Sequence, residues 1–121
     1  MVRRPYRRAD RVGDLVKREL AEILIRGDLN ADYGFVTITQ VEMSNDLKHA
    51  KVYLSIHGTG KERKTHFATL MEYKKKMRYL LAQNLNLRYT PALKLFLDES
   101  LDHSIKVQKL LNNIDRESRK R

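Results

Sequence analysis

Residues 77–100 read MRYLLAQNLNLRYTPALKLFLDES, and the change of period inside this stretch decides the fold. Leu80, Leu81 and Leu85 recur at helical spacing, leaving Arg78 and Gln83 for the solvent side. Asn84 and Asn86 weaken the helix, and Leu87-Arg88-Tyr89-Thr90 carries the chain out of it through a basic hinge. Pro91 has no N–H to give to a ladder, so it marks the start of a strand and not its middle. Leu93, Leu95 and Leu97 then alternate with Lys94, Phe96 and Asp98, the period of a strand with two unequal faces.

Working outward, a matching hairpin precedes this unit. Phe35–Met43 (FVTITQVEM) is β-branched and aromatic, and Lys51–Ile56 resumes that character after Ser44-Asn45-Asp46-Leu47. In the second segment Ala50, Val52, Leu54 and Ile56 alternate with Lys51, Tyr53, Ser55 and His57. The first segment slips parity between Ile38 and Val41, a slip that a bulge near Gln40 would account for and that sequence alone does not establish. Before the hairpin, Val12, Leu15, Val16, Leu20, Ile23 and Leu24 form an apolar helical stripe that starts near Asp10 and stops at Gly27. Arg7, Arg11, Asp14 and Arg18 lie opposite, where Asp14 is spaced to pair with Arg11 and Arg18, so that part of this face can be intrahelical charge pairing.

Between hairpin and hinge, Gly58-Thr59-Gly60-Lys61 has a superficial likeness to a phosphate loop. The spacing is wrong: one residue separates the glycines, and Glu62 follows the lysine. It reads instead as a flexible basic loop. A helix is expected from about Lys64 to Leu81, with Phe67, Leu70, Met71, Met77, Leu80 and Leu81 apolar. Lys74 interrupts that stripe within Tyr73-Lys74-Lys75-Lys76, so the helix either continues with a solvated charge run or breaks near Tyr73. Beyond the strand, Ser100 is a credible N-cap for a last helix over Leu101–Ile114. The domain expectation is one core over residues 9–114, a flexible basic arm over 1–8 and a charged tail over 115–121.

With 25 Lys and Arg against 15 Asp and Glu, the 121-residue chain carries a formal charge of +10. That excess favours a polyanionic partner. The absence of cysteine removes thiolate metal sites and disulfides. No apolar run is long enough to span a bilayer, Met1–Arg8 lacks the apolar core of a signal peptide, and no exposed apolar cluster suits membrane insertion. His49, His57, His66 and His103 are scattered without the spacing of a catalytic or zinc motif. Asp98, Asp102 and His103 could gather a metal, but acids at a strand end and helix start are more often caps. Neither metal nor cofactor is expected, nor a small-molecule substrate. Tyr53, on the wet face of the hairpin, is read as a cross-strand tyrosine before a base-stacking one.

The resulting order, α-β-β-α-(α)-β with a C-terminal helix, is an α+β fold with helices on one face of a three-stranded sheet. It resembles the type II KH fold. The stretch Val41–Ser55 (VEMSNDLKHAKVYLS) is similar to the hairpin of the bacterial ribosome-binding factor A family. Arg78, Leu81, Leu87-Arg88, Pro91, Leu93 and Asp98 follow that family's later spacing, and Arg11-Val12, Arg18-Glu19-Leu20 and Ile23-Leu24 its first helix. The likeness covers residues 9–114. It implies a monomeric, non-catalytic cytoplasmic factor that binds free 30S subunits and 16S rRNA. It also implies help with late maturation and 5′-end processing of the precursor rRNA, above all in the cold. The competing reading is a basic RNA-binding or adaptor domain without ribosome specificity. Candidate RNA-binding residues are Arg7, Arg8, Arg11, Arg18, Lys74, Lys75, Lys76, Arg78 and Arg88. KH domains grip the backbone with a Gly-x-x-Gly loop, and the resembled family uses a small-residue kink ending in glycine. Here Tyr73-Lys74-Lys75 stands in that place, which puts a sharp kink in question.

Overall fold

The structure, a computed structural model, describes residues 5–98. Their order is α1 (Arg8–Arg26), β1 (Val36–Met43), β2 (His49–Ile56), α2 (Gly60–Glu72), α3 (Lys74–Asn84) and β3 (Ala92–Leu97). The strands form one sheet in the order β1-β2-β3. The pair β1–β2 is antiparallel and the pair β2–β3 parallel, so α2 and α3 serve as the crossover that parallel pairing requires. This is the expected α+β, KH-like arrangement. The expected C-terminal helix (Leu101–Ile114), the tail, Asp102 and His103 lie outside the described residues.

Register turns the alternating apolar residues into one core face. Ala50, Val52, Leu54 and Ile56 of β2 are 0–1% exposed. They pair with Met43, Val41, Ile38 and Val36 on one side, and Ala50, Val52 and Leu54 pair with Leu93, Leu95 and Leu97 on the other. The expected bulge is present: Ile38 faces Leu54 while Gln40 faces Tyr53, so Thr39 is the extra residue. It lets Val36 and Ile38 share a face with Val41 and Met43 despite opposite parity. The Thr39 hydroxyl donates to the Asp98 carboxylate at 2.7 Å, with the Tyr53 carbonyl oxygen 3.2 Å away. Across the other face of the sheet, Tyr53 stacks on Phe96 of β3 with ring centroids 5.2 Å apart. The cross-strand reading of this tyrosine therefore holds.

Helix α1 lies against β1 and α3. It begins at Arg8, two residues before the expected start, because Asp10 closes it from inside by accepting the Arg7 N–H at 2.9 Å. It ends at Gly27, whose φ of 74° is the left-handed geometry expected there. Leu15 does not join the core, being 39% exposed, whereas Gly13 does. A Cβ on Gly13 would lie 3.2 Å from the Val41 carbonyl oxygen and 3.4 Å from Met43 Cγ. The helix comes close to the strand because this position has no side chain. Asp14 accepts from the Tyr6 hydroxyl at 2.6 Å, and among the described residues it makes no ion pair with Arg11 or Arg18. That bond fastens the inner end of the expected arm onto α1.

The expected loop at Gly58–Lys61 is a helix start. Thr59 is the N-cap of α2: its hydroxyl accepts the Glu62 N–H at 3.2 Å, and its own N–H donates to Glu62 Oε1 at 2.7 Å. The spacing Thr59-x-x-Glu62 is a capping box, the signal overlooked in favour of the glycines. The long helix does break near Tyr73. Tyr73 has φ −95° and ψ 13°, a conformation open to any residue, so no glycine is needed. Its ring packs partly buried on the core three residues beyond buried Leu70, and α3 continues the face with Met77 and Leu81.

Two outcomes are expected. Gly13→Ala should alter stability little, because up to about 1 kcal/mol of helix propensity offsets the tight contact, whereas Gly13→Leu should cost roughly 1–3 kcal/mol. Denaturant titration measures both. Glu62 is held below its ordinary carboxylate pKa by the Thr59 N–H and hydroxyl. Its support for the fold is therefore full above the ordinary value of 4.5 and fades as pH falls through the lowered one. Glu62→Gln should lower the melting temperature at neutral pH and remove this residue's share of the acid-side loss; an unchanged acid limb would refute the contribution of the box.

Candidate nucleic-acid interface

Eight of the nine basic residues picked from sequence separate into two groups once their partners are known. The first group is engaged within the fold. Arg78 reaches from α3 to the segment before β3, donating Nε–H to the Pro91 carbonyl at 3.1 Å and Nη2–H to that of Thr90 at 2.8 Å. Its fork holds the buried Pro91 in place, and the next residue, Ala92, donates its N–H to the Lys48 carbonyl at 2.8 Å. Lys76 donates Nζ–H to the Leu29 carbonyl at 3.1 Å, tying α3 to the loop after α1. Arg7 stands 3.9 Å from Asp10. Arg26, a cation outside the candidate set, meets Glu19, Glu22 and Asp28 at 3.2, 3.3 and 2.9 Å.

The second group remains available. Among the described residues, Arg8, Arg11, Arg18, Lys74 and Lys75 form no side-chain hydrogen bond or ion pair. Four of them are exposed and Lys74 is half-buried. Lys74 and Lys75 open α3 directly after the Tyr73 break, and no acidic residue lies in that first turn. Cations at a helix N-terminus oppose the helix dipole, so this arrangement costs some stability and concentrates positive potential at one point. Helix α1, carrying Arg8, Arg11 and Arg18, packs against α3.

A third grouping was not foreseen. Tyr89, 44% exposed, has Lys48 Nζ 5.1 Å and Arg88 Cζ 5.5 Å from its ring centroid. Arg88 and Tyr89 line a cleft of about 340 Å³ with Arg8, so the start of α1 and the basic hinge face one space. The adjacency of Arg88 and Tyr89 was a visible signal; the approach of Lys48 from the hairpin turn was not. Among the described residues, no group of three or more His, Asp or Glu is placed to hold a metal, and no helix is long and apolar enough to cross a membrane.

Arg78→Ala should lower stability by roughly 1–3 kcal/mol, since two carbonyls lose a charged donor. Arg78→Lys should restore little, because a single ammonium cannot reproduce the fork. Equal melting temperatures for wild type and both variants would show that the fork contributes nothing.

Sequence comparison matches the model of the ribosome-binding factor A family to residues 8–111. The ribosome-binding factor A of Halothermothrix orenii is 37% identical over 110 residues, covering 91% of this chain and 90% of the relative. That of Brevibacillus brevis is 41% identical over 113 residues, covering 93% of each. A similar backbone is found in the Thermus thermophilus ribosome-binding factor A, in coordinates fitted into a cryo-electron-microscopy map of a 30S complex. The likeness has a TM-score of 0.56 at 22% identity, over 72% of this chain and 91% of that one. With the three motifs, the fold and nearly the full length in agreement, this chain belongs to the ribosome-binding factor A family.

Proposed function

We propose that this protein binds the free 30S subunit as a monomer and contacts 16S rRNA. It assists late maturation there, including 5′-end processing of the precursor, without performing chemistry itself. The setting is the bacterial cytoplasm, and the need is greatest in the cold, where misfolded rRNA is slowest to rearrange. The observation that carries the reading is the α2–α3 junction. Lys74 and Lys75 stand there without partners among the described residues, on the positive end of a helix, at the place where KH folds meet a nucleic-acid backbone. Residues 9–114 act as the RNA-binding domain, and Arg8, Arg11 and Arg18 extend its charged surface along α1.

The division of cations sharpens the site. Lys76 and Arg78 belong to the candidate set, yet both donate to backbone carbonyls, so their replacement would mix folding with binding. Lys74 and Lys75 are the clean probes, because phosphate contacts by lysine are point-charge interactions that release counterions.

Lys74→Gln/Lys75→Gln should weaken 30S binding and leave the melting temperature nearly unchanged. The slope of log affinity against log salt should fall by roughly 1.5 if both lysines meet phosphates. For the wild type, neutralising six or more phosphates would reduce affinity roughly a thousandfold or more between about 50 and 200 mM salt. Sucrose-gradient co-sedimentation and filter binding measure these quantities. Unaltered 30S affinity in the double variant would assign the lysines to a solvated face. Absence of the wild-type protein from 30S fractions would favour a basic domain without ribosome specificity.

A further inference from the structure

The cleft between the start of α1, the hairpin turn and the basic hinge has the features of a nucleotide subsite. Its apolar floor is Val12, Leu47 and Leu87, each packed against the core. Leu47 holds that position with φ 63°, a conformation that bulky residues rarely adopt. Asn45 and Asn86 line it with amides able both to donate and to accept. Tyr89 forms one wall, a half-exposed ring attended by Lys48 and Arg88, and Arg8 adds a further cation. Among the described residues that line the cleft, one carboxylate opposes these three cations. Asp46 accepts the Ser44 hydroxyl at 2.6 Å and the Lys48 N–H at 3.0 Å, bonds that hold its pKa below the ordinary value. It therefore remains an ionised acceptor anchored in the turn, and the cleft keeps an excess of positive charge.

Ring face, edge-reading amides and cations together match a single ligand chemistry. An unpaired nucleotide offers a π-face to stack, an edge with mixed donors and acceptors, and an adjoining phosphate. The cleft, about 340 Å³, is at the small end of the range for ligand sites, large enough for one nucleotide and too small for a duplex groove. We infer that this cleft takes one unstacked ribonucleotide of a single-stranded RNA segment. Its base lies on Tyr89 and its phosphate between Arg8, Arg88 and Lys48. The inference rests on the RNA-binding reading above and adds to it a base-contacting subsite, where the α2–α3 junction offers only phosphate contacts. RNA bound at both places would be an unpaired segment running from the α3 N-terminus toward the hairpin turn.

The chain has no tryptophan, so Tyr89→Trp introduces a single reporter. Its fluorescence should be quenched on titration with a mixed-sequence single-stranded heptaribonucleotide and respond little to duplex RNA. Phe35→Trp is the control: Phe35 is 74% exposed and precedes Val36, at the opposite end of the hairpin from the turn, roughly 20 Å away. It should not respond. Tyr89→Phe should keep the oligonucleotide affinity within about twofold, while Tyr89→Ala should weaken it roughly 5- to 150-fold. No fluorescence change in Tyr89→Trp, with the wild-type affinity retained in Tyr89→Ala, would overturn the subsite and leave the phosphate-binding reading standing. Equal quenching by duplex and single strand would reduce the cleft to a phosphate contact and also overturn base stacking. Failure of the wild-type protein to bind any RNA or 30S would overturn both readings together.

Discussion

The extra residue at Thr39 is the constraint on which the rest of the architecture depends. A strand that kept strict alternation from Val36 to Met43 would turn either Val36 and Ile38 or Val41 and Met43 away from the helices. With Thr39 looped out of register, all four face the same side as Ala50, Val52, Leu54 and Ile56. The sheet then presents one continuous apolar surface to α1, α2 and α3. The bulge is held from the far strand: Asp98, whose N–H donates to the Leu54 carbonyl at 2.7 Å, takes the Thr39 hydroxyl. The acid at the end of β3 thus bonds to both other strands.

How tightly the helices settle on that surface is decided at two positions. Gly13 lets α1 approach the Val41 carbonyl, and Tyr73 lets the second helical segment change direction. At Tyr73 the break resolves a conflict in the stripe of apolar residues. A continuous helix would direct Lys74 toward the core between Leu70 and Met77, where an unpaired ammonium is costly. Ending α2 at Glu72 gives the inward position to the tyrosine ring and leaves Lys74 half-buried at the first turn of α3. The same adjustment that protects the core leaves two lysines at a helix N-terminus. Stability and surface chemistry share one cause there.

Elements with strong periodicity were legible before the structure. The β2 alternation, the Gly27 stop and the strand led by Pro91 follow from side-chain period and backbone chemistry alone, whereas the parity slip in β1 becomes a bulge only once the register is known. Where structure and sequence pattern diverge, competing local signals are present. Leu15 satisfied the helical stripe but faces solvent, while Gly13, with no hydrophobic signature, is buried. Gly58 and Gly60 suggested a loop and hid the Thr59–Glu62 box, whose two hydrogen bonds start α2 four residues earlier than expected. The candidate site was legible only as a set of basic residues. Whether an arginine is committed depends on carbonyls distant in sequence, as with Arg78 and Pro91, and one-dimensional patterns carry no such information.

Net charge therefore says less about the interface than the distribution of partners does. Arg26 is surrounded by three carboxylates, Arg78 and Lys76 serve backbone carbonyls, and none of these is easily lent to a phosphate without loosening the fold. Of the candidate cations left over, Lys74 and Lys75 stand at one feature, and Arg8 and Arg88 at a second of different character. At the α2–α3 junction, on the proposed reading, charge and helix dipole would act on a phosphate without regard to the base attached to it. Beside Tyr89, charge is joined to an aromatic face and to amides, groups that can distinguish an unpaired base from a paired one. A surface of the first kind alone would hold any RNA, folded or not. If the cleft takes a base as inferred, the second feature would bias binding toward RNA that has a strand free, which is the difference between a general polyanion binder and a factor that recognises an incompletely folded state.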